Sequence, residues 1–184
     1  MGRLSESIRV LYVDDDVDFA ESTAEVLNRS EDGLTVETAT EVAEALETFT
    51  AAEFDCIVSD YSMPGRDGLE LLERIRDDDE DVPFILFTGR GSEDVASDAF
   101  AAGATDYVKK SGQVEQFDLL RHRIENAVEQ YRATQRASEL ARIRALVRDV
   151  NQALVRAKSR QAVEKDVCNL FTEAGPYVFA WIGV

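Results

Sequence analysis

Three stretches far apart in the chain each run from apolar residues onto groups suited to handling phosphate. Val10-Leu-Tyr-Val13 leads into Asp14, Asp15 and Asp16. Cys56-Ile-Val58 leads into Ser59 and Asp60, and Tyr107-Val108 leads into Lys109 and Lys110. If the apolar runs are neighbouring parallel strands, their ends meet in one pocket holding several carboxylates and an ammonium. Carboxylates that close repel one another unless a cation lies among them. A ligand set of oxygens alone suits Mg²⁺. A hard cation, an exposed carboxylate and a lysine together make a place that accepts and holds a phosphoryl group.

The elements that must position these groups are legible in the pattern. Residues 8–13 read as a buried strand, and residues 17–29 carry Val17, Ala20, Ala24 and Leu27 at helical spacing. Leu34, Val36 and Thr38 alternate as a strand. Thr40 is placed to cap a helix with Val42, Ala43, Leu46 and Phe49 on its apolar face. Residues 54–59 form a third strand. Pro64-Gly65 breaks the chain, and Asp67-Gly68 opens a short helix carrying Leu69, Leu72 and Ile75. The acidic run 77–81 reads as a solvated loop. Residues 84–87 form a strand, Ser92 caps a helix ending near Gly103, and 104–108 is the fifth strand. This alternation predicts an α/β fold: a five-stranded parallel sheet with helices on both faces. Right-handed crossovers leave few topologies, and 2-1-3-4-5 is the simplest strand order for this length. That order sets the first and third strands at the switch point, with Asp14, Asp15 and Asp60 at their ends.

The 184 residues carry a net charge of −17, unevenly spread. Residues 1–112 hold 9 Lys+Arg against 28 Asp+Glu, whereas 113–184 hold 11 against 9. The acidic part should repel nucleic acid, so direct nucleic-acid binding by this segment is not expected. Only four of the 20 basic residues are lysine. Few lysines and many acids suggest adaptation to high salt, where screening removes most self-repulsion. No apolar run approaches the ~20 residues that span a bilayer, so no membrane association is expected. Cys56 and Cys168 sit in apolar-periodic segments and read as buried thiols, which points to a cytoplasmic setting.

From about residue 114 to 160 there is neither proline nor glycine. Phe117, Leu120, Ile124, Ala127 and Tyr131 step by three and four. A second phase runs through Leu140, Ile143, Val147, Val150, Leu154 and Ala157 at the coiled-coil period. One long helix is expected, its second half pairing with a second copy in a homodimer. The alternative is two helices with a kink near 134–138. Beyond Arg160 come Val163, Val167, Leu170 and Phe171, then Gly175-Pro176 and the apolar end 177–184.

Over residues 8–125 the arrangement resembles the receiver domain of two-component response regulators. The residues that carry the resemblance are Val13-Asp14-Asp15, Asp60-Tyr-Ser-Met-Pro-Gly-Arg-Asp-Gly68, Thr88-Gly89, and Gly103-Ala-Thr-Asp-Tyr107 with Lys110. The resemblance implies that Asp60 accepts a phosphoryl group from a histidine kinase as an acyl phosphate. It implies Mg²⁺ held by Asp15, by Asp14 directly or through water, by Asp60, and by the backbone carbonyl of Ser62. Lys110 would pair with Asp60 and then with phosphate, Thr88 would donate its hydroxyl to phosphate, and Tyr107 would be the aromatic switch. The domain would be a phosphoacceptor, not a turnover enzyme. Asp16 fits better as a helix N-terminal acid. Lys109 and His122 fit as surface residues. One departure stands out: Ser111-Gly112 follows the lysine where receivers usually carry proline, often with a cis bond. A trans bond is expected here.

The stretch from Leu154 to Gly183 resembles the start of a GAF-type sensory domain, as in haloarchaeal regulators of the bacterio-opsin activator type. These usually end in a DNA-binding helix-turn-helix, which implies transcriptional output. The expected organisation is a receiver domain at 1–125, a helical or coiled-coil linker at 126–160, and the beginning of a second domain at 161–184. Two other functions remain open on the residues alone. One is a pseudo-receiver that serves only as a dimerisation scaffold. The other is a Mg²⁺-dependent phosphohydrolase, against which Ser62 stands where such enzymes usually carry a second carboxylate.

Overall fold

The alternating apolar runs and amphipathic stretches become, in a computed structural model, β1 (Ile8–Val13), α1 (Val17–Asn28), β2 (Leu34–Ala39), α2 (Val42–Ala51), β3 (Cys56–Ser59), α3 (Gly68–Asp78), β4 (Phe84–Thr88), α4 (Glu93–Ala101), β5 (Asp106–Lys109) and α5 (Glu115–Arg156). The structure describes residues 7–29, 33–89 and 93–156, with only the backbone of Glu93, Asp94, Ala153, Leu154 and Arg156. The expected roles of Ser92, Cys168, Ala157 and the segment 161–184 lie outside the described residues.

The five strands form one parallel sheet in the order β2-β1-β3-β4-β5. The registers Val13↔Ser59 and Thr88↔Lys109 align the strand ends that carry the acids and the lysines. Two apolar layers flank the sheet, because alternate strand residues point to opposite faces. Leu11, Val13, Ile57, Phe84 and Leu86 join Leu71, Leu72 and Ile75 of α3 on one side. Val10, Tyr12, Val58, Ile85 and Phe87 join Leu27 of α1 and Leu120, Ile124 and Val128 of α5 on the other. Strands β3 and β4 are buried along their whole length, which is why they read as unbroken apolar runs.

Local chemistry fixes the helix starts. Asp16 caps α1, its side chain accepting from the Phe19 amide. Asp67 caps α3, accepting from the Leu69 and Glu70 amides. Two sequence expectations shift. The N-cap of α2 is Glu41, not Thr40; the Thr40 amide and hydroxyl instead both donate to the Glu44 carboxylate. The acidic run 77–81 is not all loop, since α3 continues through Asp78 and the Asp79 carboxylate takes the Asp81 and Val82 amides. Arg76 in the last turn donates to the Asp79 and Gly103 carbonyls, which helps a helix end so rich in acid to form.

The chain divides into two compact units, Met1–Tyr131 and Arg132–Val184. In the second unit the described residues are all helix. Helix α5 runs unbroken from Glu115 to Arg156, with no interruption at 134–138. Within 132–156, Leu140, Ile143 and Val147 are 53%, 46% and 54% exposed. Among the described residues no helix is long and apolar enough to cross a membrane.

Candidate functional site

The carboxyl ends of β1, β3 and β4, and the residue after β5, surround a cavity of about 290 Å³. It is lined by Asp14, Asp15, Asp16, Asp60, Ser62, Thr88, Gly89 and Lys110. Main-chain bonds to the neighbouring strands hold the acids in place. The Asp14 amide donates to the Ala39 carbonyl at 3.1 Å and the Asp60 amide to the Val13 carbonyl at 2.8 Å. Asp14 and Asp60 are buried and Asp15 is exposed. One carboxylate oxygen from each of the three lies within 4.8 Å of the others.

Lys110 reaches in from the far side. Its amide donates to the Thr88 carbonyl at 2.9 Å, which ties the start of the loop to the end of β4. Its Nζ lies 2.6 Å from Asp14 Oδ2 and 3.2 Å from Asp60 Oδ1. Lys109, one residue earlier, is exposed on the opposite side, as strand alternation requires. The bond between Lys110 and Ser111 is trans, as every described peptide bond is.

Each buried carboxylate has further donors. Asp14 Oδ1 accepts from the Asp16 amide at 3.2 Å, and Asp60 Oδ2 accepts from the Ser62 amide at 3.0 Å. The Tyr12 hydroxyl donates to Asp14 Oδ2 at 2.7 Å from a fully buried position. Burial first, and then the neighbouring Asp14 charge, push the Tyr12 phenol well above its ordinary pKa, so it stays a donor. The Lys110 ammonium also sits 4.6 Å from the Phe19 ring centre and 5.6 Å from that of Phe87, and both rings attract it.

The structure thus brings together Asp14, Asp15, Asp60, Ser62, Thr88 and Lys110. Thr88 is buried at the cavity wall. Tyr107 is not in that wall; it is half-buried beside Leu86, packed against the α3 side of the core. His122 is exposed on α5, 3.5 Å from the Glu125 carboxylate. Sequence reasoning overlooked Tyr12, Phe19, Phe87 and Gln116. For Tyr12 the signal existed, since it precedes Asp14 by two residues and a strand places such residues on one side. Gly68 opens α3 and does more: a Cβ there would overlap the Asp60 carbonyl oxygen and meet a Leu86 methyl at 3.0 Å.

The donor set fits Mg²⁺: three carboxylates from two adjacent strand ends, two of them buried, in a cavity open to solvent on one side. The ammonium between Asp14 and Asp60 is the cation that makes their burial tolerable in the protein alone.

Residues 10–125 match the response regulator receiver domain family, and the chain belongs to it. The chain is 38% identical over 110 residues to the response regulator MprA of Mycobacterium ulcerans, an alignment covering 60% of this chain and 47% of that one. It is 29% identical over 164 residues to the transcriptional regulatory protein FixJ of Bradyrhizobium diazoefficiens, covering 88% and 74%. It spans about half the length of MprA and 30% of the C4-dicarboxylate transport transcriptional regulatory protein DctD of Rhizobium meliloti. Among solved structures, a receiver domain protein from Methanospirillum hungatei superposes with a TM-score of 0.63 at 29% identity, over 70% of this chain and 99% of that one. A receiver domain protein from Clostridium thermocellum gives 0.62 at 27%, over 69% and 98%.

Proposed function

We propose that this chain is a phosphoacceptor switch in which Asp60 receives a phosphoryl group from a histidine kinase. The observation that carries the reading is the meeting of Asp14, Asp60 and Lys110 in one cavity. A carboxylate oxygen of Asp60 attacks phosphorus, and the kinase histidine nitrogen leaves with the bonding electrons. Asp14, Asp15 and Asp60, with the Ser62 carbonyl, would hold Mg²⁺. When bound, that ion supplies neutralising charge for the transferring oxygens. Lys110 moves from the free carboxylate to a phosphate oxygen, and the Thr88 hydroxyl donates to another. Both contacts exist only with phosphate present, so they bias a two-state rearrangement of β4, β5 and the loops that follow them. Tyr107, already half-buried beside Leu86, is the side chain that follows Thr88 in this change.

The exposed stripe Leu140, Ile143 and Val147 supports a homodimer in which two copies of α5 pair along their second halves. The domain limits follow: a receiver at 1–125, a helical linker at 126–160, and at 161–184 the start of a GAF-type domain as in haloarchaeal bacterio-opsin-activator-like regulators. Output is transcriptional regulation by a longer protein, in a cytoplasmic and saline setting suited to the −17 charge. Nucleic acid is not bound by this acidic segment itself.

Incubation with Mg²⁺ and a small acyl phosphate tests the reading. The expected result is a gain of one phosphoryl group by intact mass, absent in Asp60→Asn. A pseudo-receiver would show no gain, and a phosphohydrolase would release inorganic phosphate continuously.

A further inference from the structure

The loop that delivers Lys110 has little to hold it. Ser111, Gly112, Gln113, Val114 and Glu115 are all exposed, and Gly112 adopts a φ of +73°. Within this stretch one polar side chain is buried: Gln116, at 5% exposure in the first turn of α5. Its Oε1 accepts two consecutive amides, Ser111 at 2.8 Å and Gly112 at 3.1 Å. A single oxygen on a rigid helix thus holds the backbone one and two residues beyond Lys110. The Thr88 carbonyl holds the Lys110 amide itself.

We propose that Gln116 is a positioning residue that sets how much of the time the Lys110 ammonium occupies the acid cluster. The lysine stem has several rotatable bonds, and ordering it is entropically unfavourable. Holding the backbone just beyond Lys110 fixes where that stem starts, so fewer of its rotamers carry Nζ away from Asp14 Oδ2 and Asp60 Oδ1. The same ammonium competes with Mg²⁺ for those two oxygens. Loss of the clamp therefore acts with opposite sign on the two ligands: a freer Lys110 leaves the carboxylates more available to Mg²⁺ and is less often in place to take a phosphate oxygen. A general loss of structure would weaken both together.

The inference rests on the phosphoacceptor reading for its phosphate arm only. Its test uses the full chain with Gln116→Met, which keeps length and bulk but accepts neither amide, and Gln116→Glu, which keeps an acceptor oxygen. Three quantities are measured: hydrogen exchange of the Ser111 and Gly112 amides, Mg²⁺ affinity by calorimetry, and the initial rate of phosphoryl uptake from a small acyl phosphate. In Gln116→Met the two amides should lose protection, Mg²⁺ should bind more tightly, and uptake should slow roughly tenfold, the effect of two modest hydrogen bonds. Gln116→Glu should stay near wild type in all three. Should Gln116→Met fail to fold, Gln116→Ala carries the same expectation without added bulk. Retained amide protection in the Met variant overturns the proposal, as does Mg²⁺ binding that weakens in step with uptake. If wild type takes up no phosphate, the phosphoacceptor reading fails, and amide exchange with Mg²⁺ affinity still decides the clamp.

Discussion

Replacing Tyr12 by Phe tests the hydrogen bond at the base of the acid cluster. The ring is fully buried and lies edge-on to Phe87 at 6.5 Å between centres, so the substitution keeps the apolar packing and removes only the hydroxyl. What is lost is the 2.7 Å bond to Asp14 Oδ2, donated to a carboxylate that is itself 1% exposed. Hydrogen bonds to charged groups contribute about 1.5–3 kcal/mol, more than neutral ones, because a buried charge left short of donors bears its desolvation penalty. Asp14 keeps two other donors, Lys110 Nζ at 2.6 Å and the Asp16 amide at 3.2 Å. The expected loss is therefore in the middle of that range, about 2 kcal/mol at pH 7 without Mg²⁺. Urea unfolding of wild type, Tyr12→Phe, Asp14→Ala and the double variant gives the cycle. Tyr12→Phe should be nearly neutral in the Asp14→Ala background, leaving a coupling of about 2 kcal/mol. A loss under about 0.5 kcal/mol in the wild-type background, or an equal loss in both, would refute the argument.

Stability should fall in alkali. Burial raises the pKa of Cys56 above an ordinary value of 9.0 and that of Tyr12 above 10.0. The unfolded chain therefore releases these protons before the folded one. The stability they contribute is complete below pH 9 and declines as pH rises, by about 1.4 kcal/mol per unit for each group once the unfolded form titrates. Urea midpoints between pH 8 and 11 should show a shallower decline in Cys56→Ser; an unchanged slope counts against the assignment. Gly68→Ala should lose about 2 kcal/mol or more and slow phosphoryl uptake, because its Cβ displaces the Asp60 carbonyl. Gly89→Ala, whose Cβ would meet only Lys110 Cβ at an ordinary 3.8 Å, should melt close to wild type. Ile143→Asp on the exposed stripe of α5 should convert a dimer to a monomer in sedimentation equilibrium, and an unchanged mass would reject the seam.

The sheet was legible because its strands are short, apolar and bounded by acids, glycines and prolines, and because parallel strands tolerate little else on their faces. Crossover handedness left few strand orders, and the simplest of them for this length is the one observed. The meeting of Asp14, Asp15, Asp60 and Lys110 was legible because each follows an apolar run, whereas Thr88 came from the resemblance to the receiver family. What escaped was side-chain chemistry acting across elements. Tyr12 looks like one more buried strand residue until its hydroxyl is seen on Asp14. Phe19 and Phe87 look like core, yet they flank an ammonium. Gln116 looks like an ordinary polar residue opening a helix, and nothing local reveals that it faces back onto the preceding loop. The acidic run 77–81 misled because charge suggests solvent, whereas Arg76 and the Asp79 carboxylate let the helix extend into it. On α5, Ala127 packs against the inner layer as its spacing implies, and Val128, four residues beyond Ile124, is fully buried beside it.

The most direct test of the central claim is to locate the phosphoryl group. After incubation with Mg²⁺ and a small acyl phosphate, borohydride reduction converts an aspartyl phosphate to homoserine, and peptide mapping reads the position. The account predicts homoserine at position 60 alone, lost in Lys110→Ala or when Mg²⁺ is chelated. Conversion at another acid, or none at Asp60 with Mg²⁺ and donor in excess, would contradict it.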